Sequence, residues 1–269
     1  MKNILLPTDF SPNARNAAAY ALQFFRETPC TFHLLHVIPV PTSRLSTTYL
    51  TTSPNVQEKF NELLDWLNSI KTNPNHKFSI TFKANFLIEA VRSQVLEKNI
   101  DLILMGTKGA TNKEGSVIGR NTSDVMMKVK CPILAISEKA VYKSPEEILF
   151  PTDYKIPYEG RMLNTLYDVV QRSKASVKVL ELFTTDGEPT QEQKTNKQLL
   201  QSFFAPYEPI LQTYYPSRDD GSPEFFNGKN KSDMIVMAAK NLNVCNKLLQ
   251  NHQGNQIPFI RQLPLLILH

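Results

Sequence analysis

"ILLPTDF" at residues 4–10 returns as "ILFPTDY" at 148–154, and this repetition decides how the rest of the chain is read. Working outward, "HLLHVI" at 33–38 has a weaker echo in "KVLELF" at 178–183. "DLILMGTKGA" at 101–110 matches "DMIVMAAKNL" at 233–242, and "CPILAI" at 131–136 matches "LPLLIL" at 263–268. The first match is offset by 144 residues and the last two by 132, so the order is kept while the middle of the second copy has shortened. This is a tandem duplication, with domains expected over 1–140 and 145–269 and "SEKAVYKSPEE" at 137–147 as the polar linker.

Within each copy, short apolar runs are bounded by Pro, Gly or charge, the pattern of strands buried on both faces of a parallel sheet. In the first copy these runs are 2–7, 31–38, 78–84, 101–106 and 132–136. Helical stripes fill the gaps. Ser11 is a good N-cap and Pro12 suits a first helical turn. Ala14, Ala17, Ala18, Ala21, Leu22 and Phe25 then share a face. Val56, Phe60, Leu63, Leu64 and Leu67 form a second stripe, and Ile88, Val91, Val95 and Leu96 a third. Strands alternating with helices predict a parallel, doubly wound α/β sheet. In the second copy a strand at 147–151, a helix around 158–173 and a strand at 177–183 follow the same plan. A third strand is expected near 209–215, with the helix after it short or lost in the irregular stretch 205–232.

The 269 residues are 41% hydrophobic and 20% charged, a globular composition for one large domain or two ordinary ones. No run approaches the roughly 18 apolar residues of a membrane span, and the apolar run in "MKNILLPTDF" is too short for a signal peptide. Cys30, Cys131 and Cys245 are odd in number and far apart, giving neither a disulfide framework nor metal-ligand spacing. A cytoplasmic protein without membrane attachment is expected. The net charge of +5 is one-sided: residues 1–140 carry 16 Lys and Arg against 11 Asp and Glu, and residues 141–269 carry 14 of each. Lys108, Lys113, Arg120, Lys128 and Lys130 face only Glu114 and Asp124 across 106–130, a surplus that suits an anionic ligand. No basic run with interleaved aromatics points to nucleic acid.

In an open parallel sheet, ligands bind beyond the carboxyl ends of the strands, where the strand order reverses. Pro7, Thr8 and Asp9 end the first strand, Val37 and Ile38 the second, and Met105 and Gly106 the fourth. There "GTKGATNKEGSVIGRNT" (106–122) begins, with the spacing G-x2-G-x9-G across Gly106, Gly109 and Gly119. Glycine permits positive φ and lets backbone N–H groups approach an anion with no Cβ in the way. "NTSDVMMKVK" (121–130) then opens a helix whose N-terminus attracts phosphate, with Thr122 placed to cap it. The loop is neither a P-loop nor G-x-G-x-x-G, and on spacing alone an ordinary turn competes equally.

Taken together, "ILLPTDFS", "LLHV", "LILMGTKGA", G-x2-G-x9-G and "CPILAI" resemble the universal stress protein family over nearly all of residues 1–140, in the family's order. Residues 148–269 resemble a diverged second domain of the same family. The resemblance implies an α/β fold of two tandem, doubly wound, adenine nucleotide alpha hydrolase-like domains. Each would hold a five-stranded, mostly parallel sheet flanked by helices. It also implies an ATP site, with or without Mg2+, in the first domain. There Asp9 and Val37 contact adenosine, and Gly106, Gly109, Gly119, Arg120, Asn121 and Thr122 hold ribose and phosphates. Pro7, Thr8 and Met105 complete the set. The last strands, 131–136 and 263–268, are implied as a surface for self-association or a protein partner, including antiparallel pairing within one chain.

Two departures from the family pattern matter. Arg120 stands where a small hydroxyl residue is usual, and it is suited either to grip phosphate bidentately or to fill the phosphate pocket. In the second copy, Ala238, Asn241 and Asn251 replace Gly106, Gly109 and Gly119, and His252, Gln253 and Gly254 replace Arg120, Asn121 and Thr122. No ATP is expected there, and Asp153 is read as a loop anchor or helix cap. Catalytic constellations are missing: His33 and His36 fall on opposite faces of a strand, and no nucleophile elbow or Cys/His pair occurs. The expected function is therefore a stress-response or signalling protein with ATP as a regulatory ligand. A non-nucleotide interaction scaffold is the alternative, and a slow ATPase a third reading that lacks a base.

Overall fold

In the computed structural model the described residues are 1–38, 54–108, 118–158, 160–182, 188–214, 232–241 and 263–269. The chain divides into two compact units, Met1–Tyr142 and Lys143–His269.

The first unit runs β1 (Lys2–Pro7), α1 (Pro12–Phe24), β2 (Cys30–Ile38), α2 (Pro54–Ile70), β3 (Lys77–Ala84), α3 (Leu87–Glu97), β4 (Leu102–Gly106), α4 (Arg120–Lys128) and β5 (Ile133–Ile136). Its strands are ordered β3-β2-β1-β4-β5, and each pairing is parallel. The chain moves outward from β1 to β3, then returns to β4 on the other side of β1. Right-handed crossovers on a sheet that reverses direction put successive helices on opposite faces. Accordingly α1 packs with α2 and against β4 and β5, while α3 packs with α4 and against β1 and β2. Both faces are covered, so β4 and β5 are buried along their whole length and read as unbroken apolar runs.

Local chemistry starts the helices as the sequence suggests. Ser11 Oγ accepts from Ala14 N at 3.2 Å, and Pro12 occupies the first turn of α1. Val56, Phe60, Leu63 and Leu67 bury one stripe of α2. On α3 the expected stripe needs correcting. Its buried residues are Ala90, Val91 and Gln94, and Leu96 is 78% exposed. Five positions after Val91 the helix has turned to its far side, so Leu96 cannot share that face.

The second unit runs β6 (Glu147–Thr152), α5 (Gly160–Ser173), β7 (Ser176–Leu182), α6 (Gln191–Phe204), β8 (Ile210–Tyr214), β9 (Met234–Ala238) and β10 (Leu265–Leu268). Its order, β8-β7-β6-β9-β10, is that of the first unit, again all parallel. Helix α6 was not among the expected elements, although its signal is in the sequence. Thr190 and Gln193 form a capping box, with Gln193 N donating to Thr190 Oγ1 (3.2 Å) and Thr190 N to Gln193 Oε1 (2.9 Å). The expected helix after β8 falls on 215–231, outside the described residues.

The duplication reaches individual hydrogen bonds. Asp101 N donates to Asn3 O (2.9 Å) while its Oδ2 accepts from Asn3 N (2.7 Å), fastening the start of β4 to β1. Asp233 makes the same pair of bonds to Glu147, at 2.8 and 3.1 Å.

Candidate functional site

β1, β2 and β4 end at one edge of the first unit's sheet, where a cavity of about 280 Å3 opens. The turn leaving β1 shapes its rim. Thr8 N continues the ladder to Leu35 O (2.8 Å), Thr8 Oγ1 accepts from Phe10 N (3.0 Å), and Asp9 Oδ1 accepts from Ser11 N (3.0 Å). Phe10 takes φ 63°, a left-handed conformation that a phenylalanine holds only when its surroundings enforce it. They do so through its ring, 4.7 Å from His36 and edge-on to Phe60 at 5.1 Å. His36 is committed to structure, its Nδ1–H donating to Thr8 O at 2.8 Å.

Pro7, Thr8, Asp9, Val37, Met105, Gly106, Asn121 and Thr122 line the cavity together with Ala14, Leu35, Asn85, Phe86, Leu87 and Lys108. Gly109 lies outside the described residues, as do Asn251, His252, Gln253 and Gly254. The additional residues carried signals of their own. Leu35 shares the face of Val37 two positions on, and the Asn85–Leu87 turn follows the carboxyl end of β3, where ligand sites collect. Lys108 stood out only as part of a charge count.

Three expectations about the glycine stretch change on inspection. Gly106 does not adopt positive φ; its reason is contact. A Cβ there would meet Asn13 Cγ and Nδ2 at 2.7 Å, because the buried Asn13 amide lies against the strand end and donates to Lys108 O at 2.6 Å. Asn13 thus fixes the root of the loop. Thr122 does not cap α4. Gly119 is the N-cap, with ordinary extended φ and ψ (−68°, 156°), and Thr122 Oγ1 instead donates to Gly106 O at 2.7 Å. Being without a side chain, Gly119 gives the first N–H groups of α4 no side-chain cap of its own. Arg120 does not fill the cavity: its side chain is 94% exposed, with Nε 3.9 Å from Asp124 Oδ2 one helical turn on.

The second unit repeats the turn and changes what surrounds it. Thr152 Oγ1 accepts from Tyr154 N (3.0 Å), Asp153 Oδ1 accepts from Lys155 N (3.1 Å), and Tyr154 sits at φ 58°. Asp153 is buried and serves as the loop anchor. Tyr154, the counterpart of Phe10, donates to Glu181 Oε1 (2.8 Å), and Glu181 takes the strand position of His36. Lys197 Nζ lies 2.6 Å from Glu181 Oε1, and Thr213 Oγ1 donates to Oε2 (3.0 Å). Burial raises the affinity of Glu181 for a proton, but the hydrogen bonds from Lys197, Tyr154 and Thr213 outweigh it and hold the carboxyl below its ordinary pKa. Tyr158 replaces Ala14 at the 144 offset. Its buried hydroxyl is hydrogen-bonded to Thr152, the counterpart of Thr8, and its ring packs 5.9 Å from Phe150. A large side chain therefore occupies the strand end that is open in the first unit. Burial first, and then Asp153, push the Tyr158 phenol upward, against the Thr152 hydrogen bond.

Among the described residues no group of three His, Cys, Asp or Glu side chains is placed to hold a metal ion. No helix among them is long and apolar enough to cross a membrane. The model of the Universal stress protein family matches residues 1–137. Comparison with curated proteins gives no match. Among solved structures, a universal stress protein from Archaeoglobus fulgidus DSM 4304 aligns over 99% of this chain and 95% of its own, with TM-score 0.63 and 18% identity. A protein from Pseudomonas aeruginosa UCBPP-PA14 covers 100% of this chain and 93% of its own, with TM-score 0.56 and 14% identity. The cytoplasmic domain of a prokaryotic cation chloride cotransporter aligns over 99% and 94%, with TM-score 0.52 and 11% identity. At such identities these likenesses speak for the fold alone.

Proposed function

This chain belongs to the universal stress protein family, and from that premise we propose that its first unit binds ATP, with or without Mg2+, as a regulatory ligand. The observation that carries the reading is the cavity at the sheet's carboxyl edge, apolar along β2 and flanked by the head of α4, whose N-cap Gly119 has no side chain. Its volume, about 280 Å3, lies near the lower end of small-molecule sites. Leu35, Val37 and Met105 offer adenosine an apolar wall, and the Asp9 carboxylate accepts from a ribose hydroxyl or the adenine amino group. The N–H groups and dipole of α4 favour phosphate, assisted by Lys108. Gly109 and Gly119 hold phosphate in this reading because the family resemblance implies it, and Arg120 adds positive charge from outside the cavity.

Tyr158 and Ala238 support reading the second unit as non-binding. Asp9 is the single carboxylate among the described lining residues, so the ligand is read as an effector rather than a substrate. A cytoplasmic stress-response or signalling role follows from the family, with the last strands, 131–136 and 263–268, as the surface for self-association or a protein partner.

Titration calorimetry of the full chain with ATP tests the reading. Saturable heat is expected for wild type and much weaker binding for Asp9→Ala. No heat and no thermal shift at millimolar ATP would overturn it in favour of an interaction scaffold. ATP turnover that disappears in Asp9→Ala would make the protein an ATPase instead.

A further inference from the structure

Phe86 lines the cavity from a position where helix capping does not call for phenylalanine. It occupies the N-cap of α3, at φ −73° and ψ 139°, and makes no side-chain capping bond. Ser, Thr, Asp or Asn would stabilise the helix there, and phenylalanine does not. Its side chain is also left in water, 56% exposed, while it lines the cavity.

The backbone beneath the ring is fixed. Asn85 N donates to Ile38 O at 3.1 Å, tying the turn after β3 to the end of β2. Phe86 N donates to Asn85 Oδ1 at 2.7 Å, and Phe86 O accepts from Ala90 N at 3.0 Å. The register pairs Val37 with Lys83 and Ile38 with Ala84, so this turn and the apolar wall of β2 share one mouth. An aromatic side chain on a fixed backbone, lining the same cavity as the aliphatic Leu35 and Val37, suits a flat, unsaturated ring system.

Resting on the ATP reading, we propose that Phe86 is the specificity-determining residue of this site, stacking on the ligand's base and selecting purine nucleotides over pyrimidine nucleotides and over bare polyphosphate. Stacking area is larger for a purine, and it contributes nothing to a ligand without a base.

Calorimetric titration of wild type, Phe86→Ala, Phe86→Leu and Phe86→Trp with ATP, CTP and inorganic tripolyphosphate tests this. For Phe86→Ala the ATP Kd is expected to rise roughly five- to one-hundred-fold, and the ATP-over-CTP preference to shrink. Phe86→Leu falls between, because it keeps apolar area without a ring. Phe86→Trp keeps the wild-type affinity, and ATP quenches fluorescence that wild type, with Trp66 alone, does not show. Tripolyphosphate binding and the thermal midpoint stay as in wild type throughout. The proposal is overturned if Phe86→Ala binds ATP like wild type, or if it loses ATP and tripolyphosphate alike. Wild type that binds tripolyphosphate but not ATP overturns both this inference and the ATP reading, whereas ATP binding indifferent to Phe86 overturns this inference alone.

Discussion

Two turns of nearly identical backbone, Thr8-Asp9-Phe10 and Thr152-Asp153-Tyr154, sit in contrasting surroundings. In the first unit the left-handed aromatic rests among rings, His36, Phe60 and, stacked on His36 at 6.1 Å, Phe82. In the second, Glu181 and Thr213 take the strand positions of His36 and Phe82 and join Tyr154 and Lys197 in a part-buried polar network. A second position repeats the exchange. His33 faces Asn3 at 3.3 Å in the first unit, and Lys178 pairs with Glu147 at 3.2 Å at the equivalent register in the second. The turn is therefore an element of the fold, kept because β1 and β6 must both end in it. At that edge Ala14 lines the cavity of the first unit, and in the second the Tyr158 hydroxyl is bonded to Thr152.

The largest expected effect is at the network. Glu181→Ala leaves Lys197, Tyr154 and Thr213 without their shared acceptor and should cost about 3 kcal/mol, below the top of the range for a broken buried pair because Lys197 is partly solvated. Far-UV circular dichroism in urea measures it, and a loss under about 1 kcal/mol would mean the network is no more than the aromatic cluster it replaces. Next, Ala14→Tyr transplants the obstruction. ATP affinity should fall roughly 100-fold or more because the ring takes volume that the ligand needs. Trp66, the chain's single tryptophan, reports whether the first unit stays folded. Unchanged affinity would break the equivalence of Ala14 and Tyr158.

Gly106→Ala should destabilise the first unit by about 1–3 kcal/mol, since its Cβ would lie 2.7 Å from Asn13 Cγ. Combined with Asn13→Ala, much of that cost should vanish, a non-additivity expected of residues in contact. Additive costs would show that Gly106 has another reason. The smallest effect is on pH dependence. Burial, and secondarily Lys98, hold His33 below its ordinary 6.5, so between the folded and unfolded values the unfolded chain binds more protons. Stability of the first unit should therefore be intact above about 6.5 and fall as the pH drops through that window. Urea midpoints from Trp66 fluorescence should show this slope in wild type and lose it in His33→Asn.

Much of this was readable without coordinates. Strands covered on both faces must be apolar throughout, so β1 and β4 announced themselves to within a residue or so of their ends. Leu96 lies five residues after Val91, close enough to helical spacing to mimic the apolar stripe of α3 but turned to its far side. Capping chemistry is local, so the Thr190–Gln193 box that starts α6 is legible in the sequence. Asn13, Glu181 and Phe86 were not readable, because each acquires its role from a strand or turn far away in sequence.

The sequence by itself determined the duplication, the α/β alternation and the place of the glycine stretch, since these rest on local apolar periodicity and on repeated words. Only the tertiary structure decided that Arg120 turns to solvent, that Thr122 donates to Gly106 rather than capping α4, and that Tyr158 occupies its strand end. Side-chain direction at a helix head or strand end is set by whichever distant backbone group lies within hydrogen-bonding reach, and that distance is not written along the chain.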